Sequence, residues 1–191
     1  MNASAATPAL PRSQSALFRN TLAIVLGSLF VAICAHLSFP LWFTPVPVTL
    51  QPFAVLLLGL FLSPGIAAGT LVLYLTEGAL GLPVFTPHGP GGVLQLLGPT
   101  GGYLLSYPFA AFLTSWLRRR FTSSVFVSAL LAAVTGDALI LVSGAAWLAV
   151  LQPHSFAAIL TLAILPFIPG DILKVIAAAG LASGWSRLRR S

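Results

Sequence analysis

Few residues in this chain can do chemistry. Its carboxylates are Glu77, Asp137 and Asp171, and its one lysine is Lys174. Asp171 and Lys174 stand three apart, a spacing that puts both on one helix face. They follow Pro166-Phe167-Ile168-Pro169-Gly170, which predicts that they occupy the first turn of a helix, where free backbone amides favour anions. Asp171 can cap that turn and Lys174 can bind an anionic group; the alternative is a structural ion pair that fixes the helix start. Glu77 follows Tyr74 by three residues and precedes Gly78-Ala79-Leu80-Gly81. Either Glu77 or Tyr74 can hydrogen-bond a polar head group, or both can sit at a wet interface. Asp137, beside Gly136, has no second carboxylate within a helical turn, so it reads as structural rather than as part of a proton relay.

Other chemistries lack their residues. The single Cys34 provides no disulfide and no cysteine-rich metal site. His36, His88 and His154 are far apart and fit no metal signature. The chain has no G-x-x-x-x-G-K-[ST], Gly-x-Ser-x-Gly or His-Glu-x-x-His pattern. The expectation is therefore a non-enzyme with no cofactor, which does not hydrolyse nucleotides itself.

The elements that must position these residues are apolar. Of 191 residues, 58% are hydrophobic and 6% charged, against about 25% charged in soluble domains. Mean hydropathy is +1.00. A soluble enzyme, a disordered protein and a nucleic-acid-binding domain are all excluded. The net charge of +6 comes from scattered arginines rather than one basic face. The sequence predicts an all-α integral membrane protein in a lipid bilayer, with six transmembrane helices near 20–38, 49–62, 66–82, 100–117, 124–148 and 171–186. Pro40, Pro45 and Pro47, then Ser63-Pro64-Gly65, mark the first breaks. Residues 155–165 are apolar but too short to span and read as an interfacial or re-entrant helix before the last span. Residues 1–19 read as a flexible tail, 20–186 as one membrane domain and 187–191 as a basic tail. The first apolar run exceeds a signal-peptide core and reads as a retained span.

Positive charge sets the expected orientation. With six spans and both termini cytoplasmic, Arg12, Arg19, Arg118, Arg119, Arg120, Arg187, Arg189 and Arg190 all fall inside; Lys174 alone lies towards the outside. In the first span, Ala23/Gly27 and Ser28/Ala32 are small residues four apart, a spacing that admits a partner helix.

Four motifs occur in order: Pro45-Val46-Pro47-Val48-Thr49-Leu50-Gln51; Tyr74 to Glu77 running into Gly78-Ala79-Leu80-Gly81-Leu82-Pro83-Val84-Phe85; Gly98-Pro99-Thr100-Gly101-Gly102-Tyr103; and Pro166-Phe167-Ile168-Pro169-Gly170-Asp171-Ile172-Leu173-Lys174. Together they resemble the BioY family, biotin-binding S components of energy-coupling-factor transporters, over roughly residues 20–185. The resemblance implies a six-helix protein in a prokaryotic cell membrane that captures biotin from outside, with a transmembrane coupling subunit and two ATPases on separate chains. The family's last-helix Asp and Lys fall on Asp171 and Lys174. Lys174 would most naturally receive the valerate carboxylate and Asp171 the ureido N–H groups, with the reverse orientation also open. Phe39, Val46, Phe85 and Leu97 are candidate apolar walls, Gln51 and Tyr74 candidate hydrogen-bonding partners, and Glu77 a further polar candidate. Ala23, Gly27, Ser28 and Ala32 stand where the family's small residues contact the coupling subunit. Another small vitamin as cargo, or a biotin transporter without ATPase partners, is the alternative.

Overall fold

A computed structural model describes residues 12–152 and 155–189. Helix α1 (Arg12–His36) leads into two short strands, β1 (Ser38–Phe39) and β2 (Val48–Thr49). These pair antiparallel, Ser38 with Thr49 and Phe39 with Val48, and so close the proline-rich segment between them into a loop. Then come α2 (Gln51–Phe61), α3 (Pro64–Ala79), the short α4 (Gly92–Leu97), α5 (Gly101–Arg120), α6 (Val125–Leu151), α7 (Phe156–Ala163) and α8 (Ile168–Leu188). Prolines in the first turns of α2, α3 and α8 start those helices, where the missing amide costs nothing. Ser124 and Ser155 cap α6 and α7 by accepting the Val127 and Ala158 amides.

Some boundaries differ from the sequence reading. Helix begins at Arg12, inside the segment expected to be a tail, and α4 falls between the third and fourth expected spans. A short helix does precede the last long one, and α7 and α8 meet at a bend of 50°. Among the described residues, α1 and α6 are each long and apolar enough to cross a membrane, and the bent α7–α8 pair passes the same test jointly.

Helix α5 lies at the centre, against α2, α3 and α6, while α8 packs on α2 and α6, and α1 on α3. Glycines let α5 and α6 approach closely. A Cβ on Gly144 of α6 would overlap the Tyr103 ring of α5, and one on Gly102 of α5 would overlap Trp147 of α6. Each helix thus seats an aromatic ring of the other. The small residues of α1 also face inward. Gly27, Ser28 and Ala32 are buried and Ala23 is half-buried; a Cβ on Gly27 would crowd Thr70 of α3. The face of α1 left exposed is Leu22, Val25, Leu26, Leu29 and Ile33.

Gly144→Ala should lower the thermal midpoint of the detergent-solubilised protein, since overpacking costs about 1–3 kcal/mol. Gly180→Ala, at a helical site with open space around it, should leave the midpoint unchanged or raise it. Thermal unfolding of the two variants side by side checks the pair.

Candidate functional site

The start of α8 supplies the charged part of the site. Pro169 and Gly170 open the helix, and Asp171 and Lys174 follow on its inward face, 4% and 9% exposed. Lys174 Nζ donates to Asp171 Oδ1 at 2.8 Å. Both side chains border a small cavity of about 40 Å³. Beside them, α6 contributes Asp137, Ile140 and Leu141, and α5 contributes Tyr103, Leu104 and Tyr107. The α2 side presents Gln51 and Pro52. Val46, Pro47 and Thr49 from the β1–β2 loop, with Thr86, Gln95 and Phe167, close the remaining wall. Apolar walls with a few convergent polar groups are the usual make-up of a small-molecule site.

Hydrogen bonds from side chains to backbone hold these walls in register. Thr44 Oγ1 donates to the Leu162 carbonyl at 2.8 Å, joining the β1–β2 loop to α7. The Tyr103 hydroxyl donates to the Ala163 carbonyl at 2.6 Å, and its ring lies 6.0 Å from that of Phe167. Trp147 Nε1 donates to the Gly98 carbonyl at 2.9 Å, tying the α4–α5 connection to α6. Gln51 Nε2 donates to the Tyr74 hydroxyl at 2.5 Å, and that hydroxyl donates to the Val84 carbonyl at 3.0 Å. One chain of bonds thereby joins α2, α3 and the segment that follows α3.

The expected site residues divide by position. Asp171, Lys174, Gln51 and Val46 line the cavity. Tyr74 and Phe85 are buried behind Gln51, their rings 5.4 Å apart and edge-to-face. Glu77 lies on the α1 side, where it accepts a hydrogen bond from Ser28. Phe39 and Leu97 are 69% and 57% exposed and do not line the cavity. His154 lies outside the described residues. The sequence reading did not single out Tyr103, Tyr107, Phe167 or Gln95 as wall residues. Tyr103 and Phe167 carried a signal, since each ends or enters a Gly/Pro motif; Gln95 did as the lone polar side chain of α4. Tyr107 carried none. Asp137, read as structural, stands in the cavity wall.

A family model described as the BioY family matches residues 5–191. This chain belongs to the BioY family. Among relatives, the "Probable biotin transporter BioY" of Pyrococcus horikoshii is 37% identical over 162 residues, 83% of this chain and 93% of that protein. The "Biotin transporter BioY" of Rhizobium etli is 33% identical over 171 residues, 84% of this chain and 90% of its own. A crystal structure of the S-component for biotin from an ECF-type ABC transporter superposes with a TM-score of 0.82 at 28% identity, covering 96% of both chains. The BioY fold seen here is thus that of a membrane S-component, and all four motifs lie within the family match.

In this BioY chain, Tyr74→Phe should leave the buried Gln51 amide and Val84 carbonyl each short of a partner, a loss of about 1–3 kcal/mol. Adding Gln51→Leu should cost less than the sum of the two single changes. Unfolding midpoints of the four proteins test this; strict additivity would show that the three groups do not act as one chain.

Proposed function

We propose that this protein is the biotin-binding subunit of a vitamin uptake system, capturing biotin at the outer face of a prokaryotic plasma membrane. The observation that carries this reading is the sheltered Lys174–Asp171 pair in a cavity walled by apolar side chains, in a chain whose relatives are named biotin transporters. Biotin has two polar ends, a ureido ring and a carboxylate, separated by an apolar thiophane and valerate. The cavity offers a matching sequence. Charged and amide groups stand on α8 and α2, and Val46, Ile140, Leu141 and Phe167 supply apolar contact.

The chain crosses the bilayer six times with both termini in the cytoplasm. α1, α2, α3, α5, α6 and α8 are the spans, and α7 is a re-entrant piece. This topology keeps the arginines at the ends of α5 and α8 inside, as the positive-inside rule requires. The loop after β1, the segment from 80 to 100 and α7 then face outward, where they meet the ligand first. The protein is not an enzyme. Energy for transport comes from two ATPases acting through a transmembrane coupling subunit, each on a separate chain, and no nucleic acid is involved. Ala23, Gly27, Ser28 and Ala32 are inward-facing in the isolated chain, so the coupling subunit meets α1 through its exposed face or through residues that repack on docking.

Equilibrium binding of labelled biotin to the purified full chain in detergent tests the reading. Tight binding by the wild type is expected, with a loss of about a hundredfold in Lys174→Ala, because truncating one member of a buried charge pair leaves the other unpaired. A well-folded wild type that binds no biotin would overturn the proposal.

A further inference from the structure

We infer that the outer seam between α6 and α8 holds one anionic phospholipid, with an acyl chain in an apolar groove along the seam and the phosphate at Arg187. This rests on the membrane topology proposed above and not on the identity of the transported ligand.

The seam is a single stripe on each helix. On α6, Phe126, Leu130, Val134 and Ala138 recur every four residues; on α8, Ile172, Ile176, Ser183 and Arg187 share a face at spacings of four and seven. The helices run antiparallel, since Leu141 shares one end of the seam with Ile168 and Val125 shares the other with Ser186. Their packing leaves a groove of about 410 Å³ over Leu130, Val134, Ala138, Ile172, Val175 and Ile176. Val134, Ile172 and Ile176 are half-exposed. Over most of its length the groove offers water no polar partner, so in a bilayer it takes hydrocarbon.

The inner end of the seam has a different chemistry. There the wall changes to Ser124, Ser183, Ser186 and Arg187, with Val125 and Phe126, around a second cavity of about 200 Å³. Arg187 is exposed and has no ion pair among the described residues. Ser124 accepts the Val127 amide at 3.4 Å, which leaves its own proton for another acceptor. No carboxylate side chain lies nearby to neutralise this end. Arg119 donates to the Leu62 carbonyl at 3.5 Å, and the Trp185 and Phe61 rings are 6.3 Å apart, so the last turns of α2, α5 and α8 stand together. They carry Arg118, Arg119, Arg120, Arg187 and Arg189, whereas Glu77, Asp137 and Asp171 are placed elsewhere in the chain. Arg120 and Arg189 lie over the Trp116 and Trp185 rings at 5.0 and 5.1 Å. Arg187 is the guanidinium that borders the groove, and a guanidinium is well matched to a phosphate.

The dimensions agree with this occupant. From Val125 to Asp137 is twelve residues, or about 18 Å of helix, close to half of a hydrocarbon layer about 30 Å thick. An inner-leaflet chain whose phosphate sits at Arg187 therefore ends near Asp137 and Asp171. These two residues line both the groove and the ligand cavity, so the lipid chain backs one wall of the site.

The test adds dioleoylphosphatidylglycerol, dioleoylphosphatidylcholine or inorganic phosphate to the purified full chain in detergent, and reads bound lipid by native mass spectrometry together with the thermal midpoint. One phosphatidylglycerol per chain is expected, held at least about tenfold tighter than phosphatidylcholine and raising the midpoint. Phosphate alone should do neither. Arg187→Gln should cut the preference by about fivefold or more, and Arg120→Gln, outside the groove, by less than about twofold. Val134→Trp fills the groove from an exposed position and should weaken both lipids alike. Equal binding of the two lipids would overturn the inference, as would equal effects of Arg187→Gln and Arg120→Gln, which would show diffuse attraction to the basic end. A dimer that excludes lipid and separates in Val134→Trp would assign the groove to a second copy and overturn it as well. Each of these failures leaves the biotin reading standing. A wild type that takes the lipid as expected but binds no biotin would remove that reading and leave this inference in place.

Discussion

Taking an ammonium and a carboxylate out of water costs several kcal/mol for each ion, and their mutual attraction offsets this only when geometry is good and the surroundings supply further polar contacts. Lys174 and Asp171 meet that condition on one turn of α8, 2.8 Å apart. The surrounding fold follows from the need to shelter this pair without collapsing onto it. α6 and α2 flank it, α5 supports both, and non-helical segments cover it. Buried charge of this kind is weak evidence for stability and stronger evidence for use, since an apolar chain with so few ionisable groups gains little from placing two of them inside.

The covering segments pose a second problem. Irregular backbone inside an apolar surrounding leaves amides and carbonyls that helices would have satisfied internally. Here long side chains rooted in the helices meet several of them. Tyr74 and Trp147 each reach a carbonyl outside the helices, and Tyr103 reaches the last carbonyl of α7. The same bonds that satisfy the backbone also locate the cavity walls, so shape and solvation are solved together. This accounts for aromatic residues with polar tips rather than phenylalanines at these positions.

Much of the fold is legible from the sequence because Pro and Gly punctuate it. The breaks near Pro40–Pro47, Ser63-Pro64 and Pro166–Gly170 fall between helices or in their first turns, and the long apolar runs of α1 and α6 survive any choice of boundary. α4 escapes notice because six residues between glycines show no period. In the site, Asp171 and Lys174 are legible from spacing, and Gln51 and Val46 from a motif. Phe39 and Leu97 illustrate the limit. A motif tells which segment lies near a cavity, but the twist of a two-residue strand or one-turn helix decides which side chain turns inward. Glu77 and Ser28, 49 apart in sequence, become partners only through the packing of α1 on α3.

The shortness of α2 has a consequence for transport. Eleven residues make a rod of about 16 Å, roughly half the thickness of a hydrocarbon layer. Its start is also the cavity wall at Gln51 and Pro52. In the proposed six-span arrangement, a ligand held at that wall would lie well within the hydrocarbon layer. A rearrangement of the helices on the inner side of that wall would then open a path shorter than the full width of the membrane.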